Sequence, residues 1–288
     1  MPYLRSMSEG RGVPEERLHA VAKHYEVIGG GSPYTQQISG FRERLGNELY
    51  EAGIDLPVFM GMKNWHPFFK EALPEIYQKG FRKGLAIPLT PYRSASAGAG
   101  YPKSLAHSCS VSGLNGLRYQ FIEGWHDREF FIEAEADEVS RVLQSVVPAE
   151  RAGVLILFSF HSLPVSRGPA DPASHYADEA RAASALVAEK LGHKKWTVVY
   201  QSRPLSAHTA WLSPEIGEEI KVLVSKGEKR VLVVPLGFVC DHAEILYGLD
   251  HEVRELTEKA GMEYLRARTV LHHPKLTVLF RMLIEKAL

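Results

Sequence analysis

Residues 157–164 read LFSFHSLP. The run begins earlier, as GVLILFSF (153–160), eight residues without a charge. An apolar run of this length, with no polar alternation, predicts a strand covered on both faces, as in a parallel sheet flanked by helices. It ends on an ionisable ring, His161, with Ser162 and Pro164 close behind. In open α/β sheets, ligands bind outside the carboxyl ends of the strands, so His161 falls where a site is expected. Taken alone, it reads equally well as a strand-end histidine satisfied by nearby backbone.

The same pattern extends in both directions. Strands are predicted at 56–62, 84–89, 117–122, 153–160, 196–200, 230–238 and 263–270. Helical periodicity fills 14–26, 36–52, 67–80, 130–147, 175–192, 214–227, 242–260 and 275–287. Ser213 before Pro214 predicts an N-cap with proline in the first turn, and Pro14 opens a helix in the same way. Alternation at this spacing predicts βαβ units, hence the α/β class with parallel, doubly wound sheets. The small-residue segment RSASAGAGYPKS (93–104) breaks the rhythm and is predicted to be a loop at a domain boundary.

Composition removes several function classes. Basic and acidic residues number 34 each and are interspersed, which argues against a nucleic-acid partner held by bulk electrostatics. The only two cysteines, Cys109 and Cys240, are far apart and outside any CxxC, so neither a disulfide framework nor a cysteine-ligated metal site is expected. A reducing, cytoplasmic setting fits. No apolar stretch approaches the roughly 20 residues of a spanning helix, and MPYLRSMSEGRG (1–12) lacks the apolar core of a signal peptide.

Four places carry candidate chemistry. His161 with Ser162 is the first. The second is DHAEILYGLDHE (241–252), which follows directly on a buried-type strand and sets His242 and Glu244 among apolar neighbours. A carboxylate and an imidazole from adjacent strand ends can form a metal- or proton-handling pair, although the spacing is not that of HExxH. The third is GMKNWHPFF (61–69), where Lys63, Trp65, His66 and Phe68 could hold a flat anion by stacking and charge, or form an ordinary turn. The fourth, IGGGSP (28–33), lacks the spacing of either phosphate-binding glycine motif and reads as a tight turn. A serine hydrolase is disfavoured, because no GxSxG elbow is present and Ser162 adjoins His161 directly.

These stretches together resemble the ferrochelatase family, which inserts ferrous iron into a porphyrin. The resemblance rests on HYEVIGGGSP (24–33), GMKNWHPF (61–68), FSFHSLPVS (158–166), YQSR (200–203), WLSP (211–214) and VVPLGFVCDHAEILYGLD (233–250), in the family's order over nearly the whole chain. It implies two Rossmann-like, chelatase-type domains with a cleft between them, placed at 1–100, completed by a C-terminal helix 272–288, and at 101–271. His161 matches the family's active-site histidine and Glu244 its partner carboxylate, both catalytic and both candidates to meet the metal. Ser32, Lys63 and Tyr101 fall where the family lines the macrocycle or its propionates, and Trp125, in EGWHD, matches a cleft-side aromatic. Tyr200, Gln201 and Ser202 match a motif that supports the cleft.

Three departures qualify the match. The family opens with a strand and a glycine-containing loop ahead of the segment similar to MPYLRSMSEGRG; the resemblance here begins only at that segment, so either the start is assigned too late or the N-terminal domain is expected to be compromised. An acidic ladder of some members reads Glu244, Gly248, Glu252 here, without its middle carboxylate. No cysteine cluster follows the last helix, so no iron–sulfur cluster is expected, nor any tightly bound cofactor. The expected protein is a monomeric, cytoplasmic ferrochelatase of haem biosynthesis, taking ferrous iron and either protoporphyrin IX or coproporphyrin III as substrates, with peripheral membrane contact left open. The competing readings are a porphyrin- or haem-binding relative that no longer chelates, and a cobalt chelatase.

Overall fold

A computed structural model describes residues 2–8, 12–93, 100–165, 172–204 and 209–288. In chain order the helices are α1 (Pro2–Ser8), α2 (Glu15–Val27), α3 (Tyr34–Glu51), α4 (Phe69–Gln78), α5 (Gly100–Val111), α6 (Glu129–Leu143), α7 (Pro172–Leu191), α8 (Ile216–Ser225), α9 (Arg254–Lys259) and α10 (Pro274–Ala287). The strands are β1 (Lys83–Ala86), β2 (Arg118–Phe121), β3 (Leu155–His161), β4 (Trp196–Gln201), β5 (Arg230–Val234) and β6 (Glu263–Arg266). A π-helix, Glu244–Val253, runs straight into α9.

The GVLILFSF run is β3, at the middle of a parallel sheet ordered β4-β3-β5-β6. Its alternate side chains explain why it carries no polar alternation. Ile156, Phe158 and Phe160 join one buried cluster with residues of α6 and α7, while Leu155 and Leu157 join another with residues of α8 and the π-helix. Both faces are covered, so both parities must be apolar. Strand order departs from β3 in both directions, to β4 on one side and β5 on the other. That makes the carboxyl ends of β3 and β5 the topological switch point, the usual place for a ligand crevice.

Two sequence expectations change here. The segment 56–62 does not form a strand. It has no regular structure beyond a single bridge from Met62 to Phe68, and Val58, Phe59 and Met60 line a cavity instead of a sheet. A run with strand-like side chains becomes a strand only beside a hydrogen-bonding neighbour, and Pro57 additionally lacks a donor. The smaller sheet therefore has two strands among the described residues, β1 and β2, paired in parallel. This pair spans the expected boundary at residue 100, with β1 before it and β2 after it. Residues 100–104 of the expected boundary loop belong to α5, and 94–99 lie outside the described residues.

Helix starts also differ in detail. Ser213 is not the cap of α8. Glu215 is, and its Oε2 accepts from the Gly217 and Glu218 amides at 2.9 and 3.1 Å. The C-terminal helix α10 packs on α3 and on α6, so it closes the core between the two sheets. No helix among the described residues is long and apolar enough to cross a membrane.

Candidate active site

His161 is the last residue of β3 and pairs in register with Gln201, the last of β4. Its Nδ1 lies 2.5 Å from the Ser162 carbonyl. A carbonyl can only accept, so Nδ1 carries the proton and Nε2 of the neutral ring presents a lone pair. That Nε2 lies 3.6 Å from Glu244 Oε2. Glu244 opens the π-helix and its Oε2 also accepts from Ser202 Oγ at 2.6 Å. Both side chains are partly open, 39% and 46% exposed, so neither is locked away from a ligand.

The surrounding backbone fixes this pair from below. Gln201, buried, donates through Nε2 to the Glu244 carbonyl at 3.1 Å and accepts from Ser159 Oγ at 2.7 Å. It thereby ties β3, β4 and the start of the π-helix together. Ser162 is buried as well, with its amide on the Gln201 carbonyl and its hydroxyl on the Leu212 carbonyl. These bonds occupy the Ser162 hydroxyl structurally and leave no nucleophile there. Gly237 allows the exit of β5 to approach β3: a Cβ at this position would sit 2.8 Å from Phe160 Cα. π-Helical turns are rare and are enriched at functional sites.

A cavity of about 1330 Å³ is lined by Glu244, His242, Ser32, Lys63 and Tyr101; His161 is not in its lining and reaches it only by way of Glu244, 3.6 Å away. Three of the four residues expected to contact the macrocycle thus come together beside Glu244. The fourth, Trp125, does not. It is fully buried, donates to the Pro88 carbonyl at 3.3 Å, and packs edge-on against Phe131 and Phe280. A tryptophan can be aromatic for the core or for a ligand, and the sequence does not distinguish the two.

His242 is a supporting group. Its Nδ1 accepts from the Glu244 amide at 3.2 Å, and it sits among Phe238 and Tyr34. Burial pushes it below the ordinary histidine range, against the opposing pull of Glu244 and Asp241, which keeps it neutral at pH 7. Gly248 and Glu252 line the same cavity as Glu244. Among the described residues no group of three or more histidine, cysteine or acidic side chains is placed to cage a metal ion. Cys109 and Cys240 are both free, and burial raises both thiols, Cys240 to about 12.

Apart from Trp65, the sequence reading missed an aromatic wall. Tyr3 of α1 meets Tyr25 and Trp65 at ring-centroid distances of 6.1 and 5.3 Å, and His24 stacks on Tyr247 at 3.8 Å. All five line the cavity. Burial, with a contribution from Glu244, raises the Tyr3 and Tyr25 hydroxyls, which remain protonated donors. Their contacts join residues far apart in sequence, which no local pattern records.

The site lies at the carboxyl ends of β3 and β5, where open α/β sheets bind ligands. Solved structures with the same fold include SirB from Bacillus subtilis with Fe3+ (TM-score 0.60, 18% identity, 87% of this chain and 88% of that chain). Another is CbiX, described as the terminal enzyme for biosynthesis of siroheme in denitrifying bacteria (TM-score 0.57, 16% identity, 90% and 95% covered). At these identities the likeness concerns the fold. The ferrochelatase family model matches residues 1–288. Curated relatives named coproporphyrin III ferrochelatase include those of Leifsonia xyli (35% identical, 96% of this chain, 76% of the relative) and Streptomyces coelicolor (32%, 100% and 81%). That of Mycolicibacterium smegmatis is 30% identical, covering 100% of this chain and 85% of the relative. The chain belongs to the ferrochelatase family, the enzymes of haem biosynthesis.

Proposed function

We propose that the chain inserts ferrous iron into coproporphyrin III, with His161 as the first proton acceptor and Glu244 as its charge partner. The porphyrin assignment draws on the names of the curated relatives and on the cavity chemistry. An apolar, aromatic wall suits a planar macrocycle, and cationic side chains along it suit a substrate carrying four carboxylates. Lys63, Lys83 and Arg42 all line the cavity, and Lys63 has no ion-pair partner among the described residues.

Metallation replaces two pyrrole N–H protons by one divalent cation, so charge balances only if both protons leave. The Nε2 lone pair of His161 takes one: a pyrrole N–H bond breaks and an imidazolium N–H forms. Glu244, at 3.6 Å, then faces a cation and stabilises it. The same carboxylate offers an anionic oxygen to the entering iron and an acceptor for the second proton. Ser202 holds that oxygen in place. Ser32 and Tyr101 border the macrocycle, and Lys63 meets a propionate. The observation that carries the reading is the contact of His161 with Glu244, a carboxylate that lines one cavity with Ser32, Lys63 and Tyr101.

Glu244→Gln tests it. The amide keeps an acceptor for Ser202 but loses the charge. Iron insertion is expected to fall about a hundredfold or more, while porphyrin affinity, read by fluorescence quenching, changes only a few-fold. Equal loss of both would move Glu244 from catalysis to binding.

A further inference from the structure

A second cleft shares no lining residue with the large cavity. It has a volume of about 430 Å³ and is walled by the C-terminal part of α6, the π-helix–α9 junction and the end of β6. Its charge is one-sided: Arg141, Arg254, Arg266 and Arg268 line it, against Asp250 alone. Two of the four are already neutralised. Arg266 holds Asp250 at 2.8 Å and Asp241 at 3.3 Å, and Arg141 holds Glu138 at 2.9 Å.

The other two are not. Among the described residues Arg254 donates only through Nε, to the Asp250 carbonyl at 3.1 Å, and its guanidinium covers the Tyr264 ring at 4.9 Å from the centroid. Arg268 is exposed and has neither a hydrogen bond nor an ion pair among the described residues. Tyr264 lines the same cleft, 6% exposed, and its buried hydroxyl has no hydrogen-bond partner. Two guanidinium groups with no carboxylate at ion-pair distance among the described residues therefore border one concavity, over the ring of Tyr264. Like charges gathered this way repel one another unless an anion joins them, and guanidinium forks match phosphate-type oxyanions in geometry.

We propose that this cleft binds a small phosphate-class polyanion, clamped by Arg254 and Arg268. The volume lies near the lower end of the small-ligand range and exceeds what one phosphate fills. Tyr264 is the only aromatic residue in the lining and Arg254 already covers its face, so a nucleobase or a second tetrapyrrole has nothing to stack on.

Inorganic pyrophosphate is the probe, titrated calorimetrically into the full chain at low ionic strength, with ionic-strength-matched sodium chloride as the blank. The wild-type chain is expected to bind one equivalent, inorganic phosphate to bind more weakly, and the R254Q/R268Q double variant to lose at least tenfold in affinity. R268E alone, which keeps Arg254 on Tyr264, is expected to lose a similar factor with an unchanged circular dichroism spectrum. Iron insertion without pyrophosphate should be the same in R268E and wild type. No saturable binding, equal binding by wild type and R268E, or tight binding of citrate with none of pyrophosphate would each overturn the proposal.

Discussion

At the scale of single residues, burial separates the groups that serve a ligand from those that serve the core. Trp125 resembled a cleft residue in sequence, yet its indole is enclosed by Phe131 and Phe280 with its N–H satisfied by Pro88. Trp125→Ala is therefore expected to destabilise the fold by about 4 kcal/mol through loss of a large core side chain. Chemical denaturation would measure it, and porphyrin affinity of the residual folded protein should be little changed. Glu135 poses the opposite case. It is fully buried on α6, both of its oxygens lack hydrogen-bond partners, and desolvation raises its carboxyl well above the ordinary range, with Glu138 adding to the effect.

The sign follows from linkage. A raised folded-state value means that the folded chain holds more protons than the unfolded one above the ordinary glutamate range. Stability is then lost as pH rises through that window. Glu135→Gln has no such proton to lose. Its melting temperature relative to wild type is expected to rise as pH climbs above the ordinary glutamate range, and a difference independent of pH would contradict the assignment.

At the scale of elements, the second half of the chain was readable because its strands are covered on both faces. β3, β4 and β5 appear in the sequence as short apolar runs, and they form as such. His161 could be placed at a strand end for the same reason. Segment 56–62 was not readable, because its apolar pattern is a property of the residues while pairing is a property of the neighbour. The π-helix was likewise invisible: its side-chain pattern is apolar and amphipathic like that of an α-helix, and only the hydrogen-bond ladder separates the two. Tyr3, Tyr25 and Trp65 meet through tertiary contacts, so their wall carries no local signal.

Gly237 is the element-scale test of how the site is assembled. A methyl group there would press on Phe160 Cα at 2.8 Å and on the Ser159 carbonyl at 3.2 Å, both backbone atoms that cannot swing away. Gly237→Ala is expected to cost about 2 kcal/mol by overpacking. It should also shift the β5 exit, which leads to Glu244, away from His161. The measurement is thermal denaturation alongside iron insertion, with activity expected to fall further than the loss of folded protein explains.

At the scale of the whole molecule, function follows from where two sheet exits meet. The larger sheet supplies the His161 ring at its switch point, and the π-helix beyond β5 supplies the Glu244 carboxylate. The N-terminal region supplies cations and aromatic rings across one cavity. Residues of segment 56–60 and of β1 wall the same cavity, so the part of the chain that fails to complete a sheet still contributes apolar surface to it.

The most direct measurement is anaerobic incubation of the full chain with ferrous iron and either coproporphyrin III or protoporphyrin IX, followed by absorbance, with His161→Ala run in parallel. The account predicts metalloporphyrin formation from coproporphyrin III, slower formation from protoporphyrin IX, and a loss of about a hundredfold or more in His161→Ala, which should remain folded because His161 ends its strand partly exposed. Wild-type turnover in His161→Ala, or porphyrin binding without metallation by the unaltered chain, would contradict it.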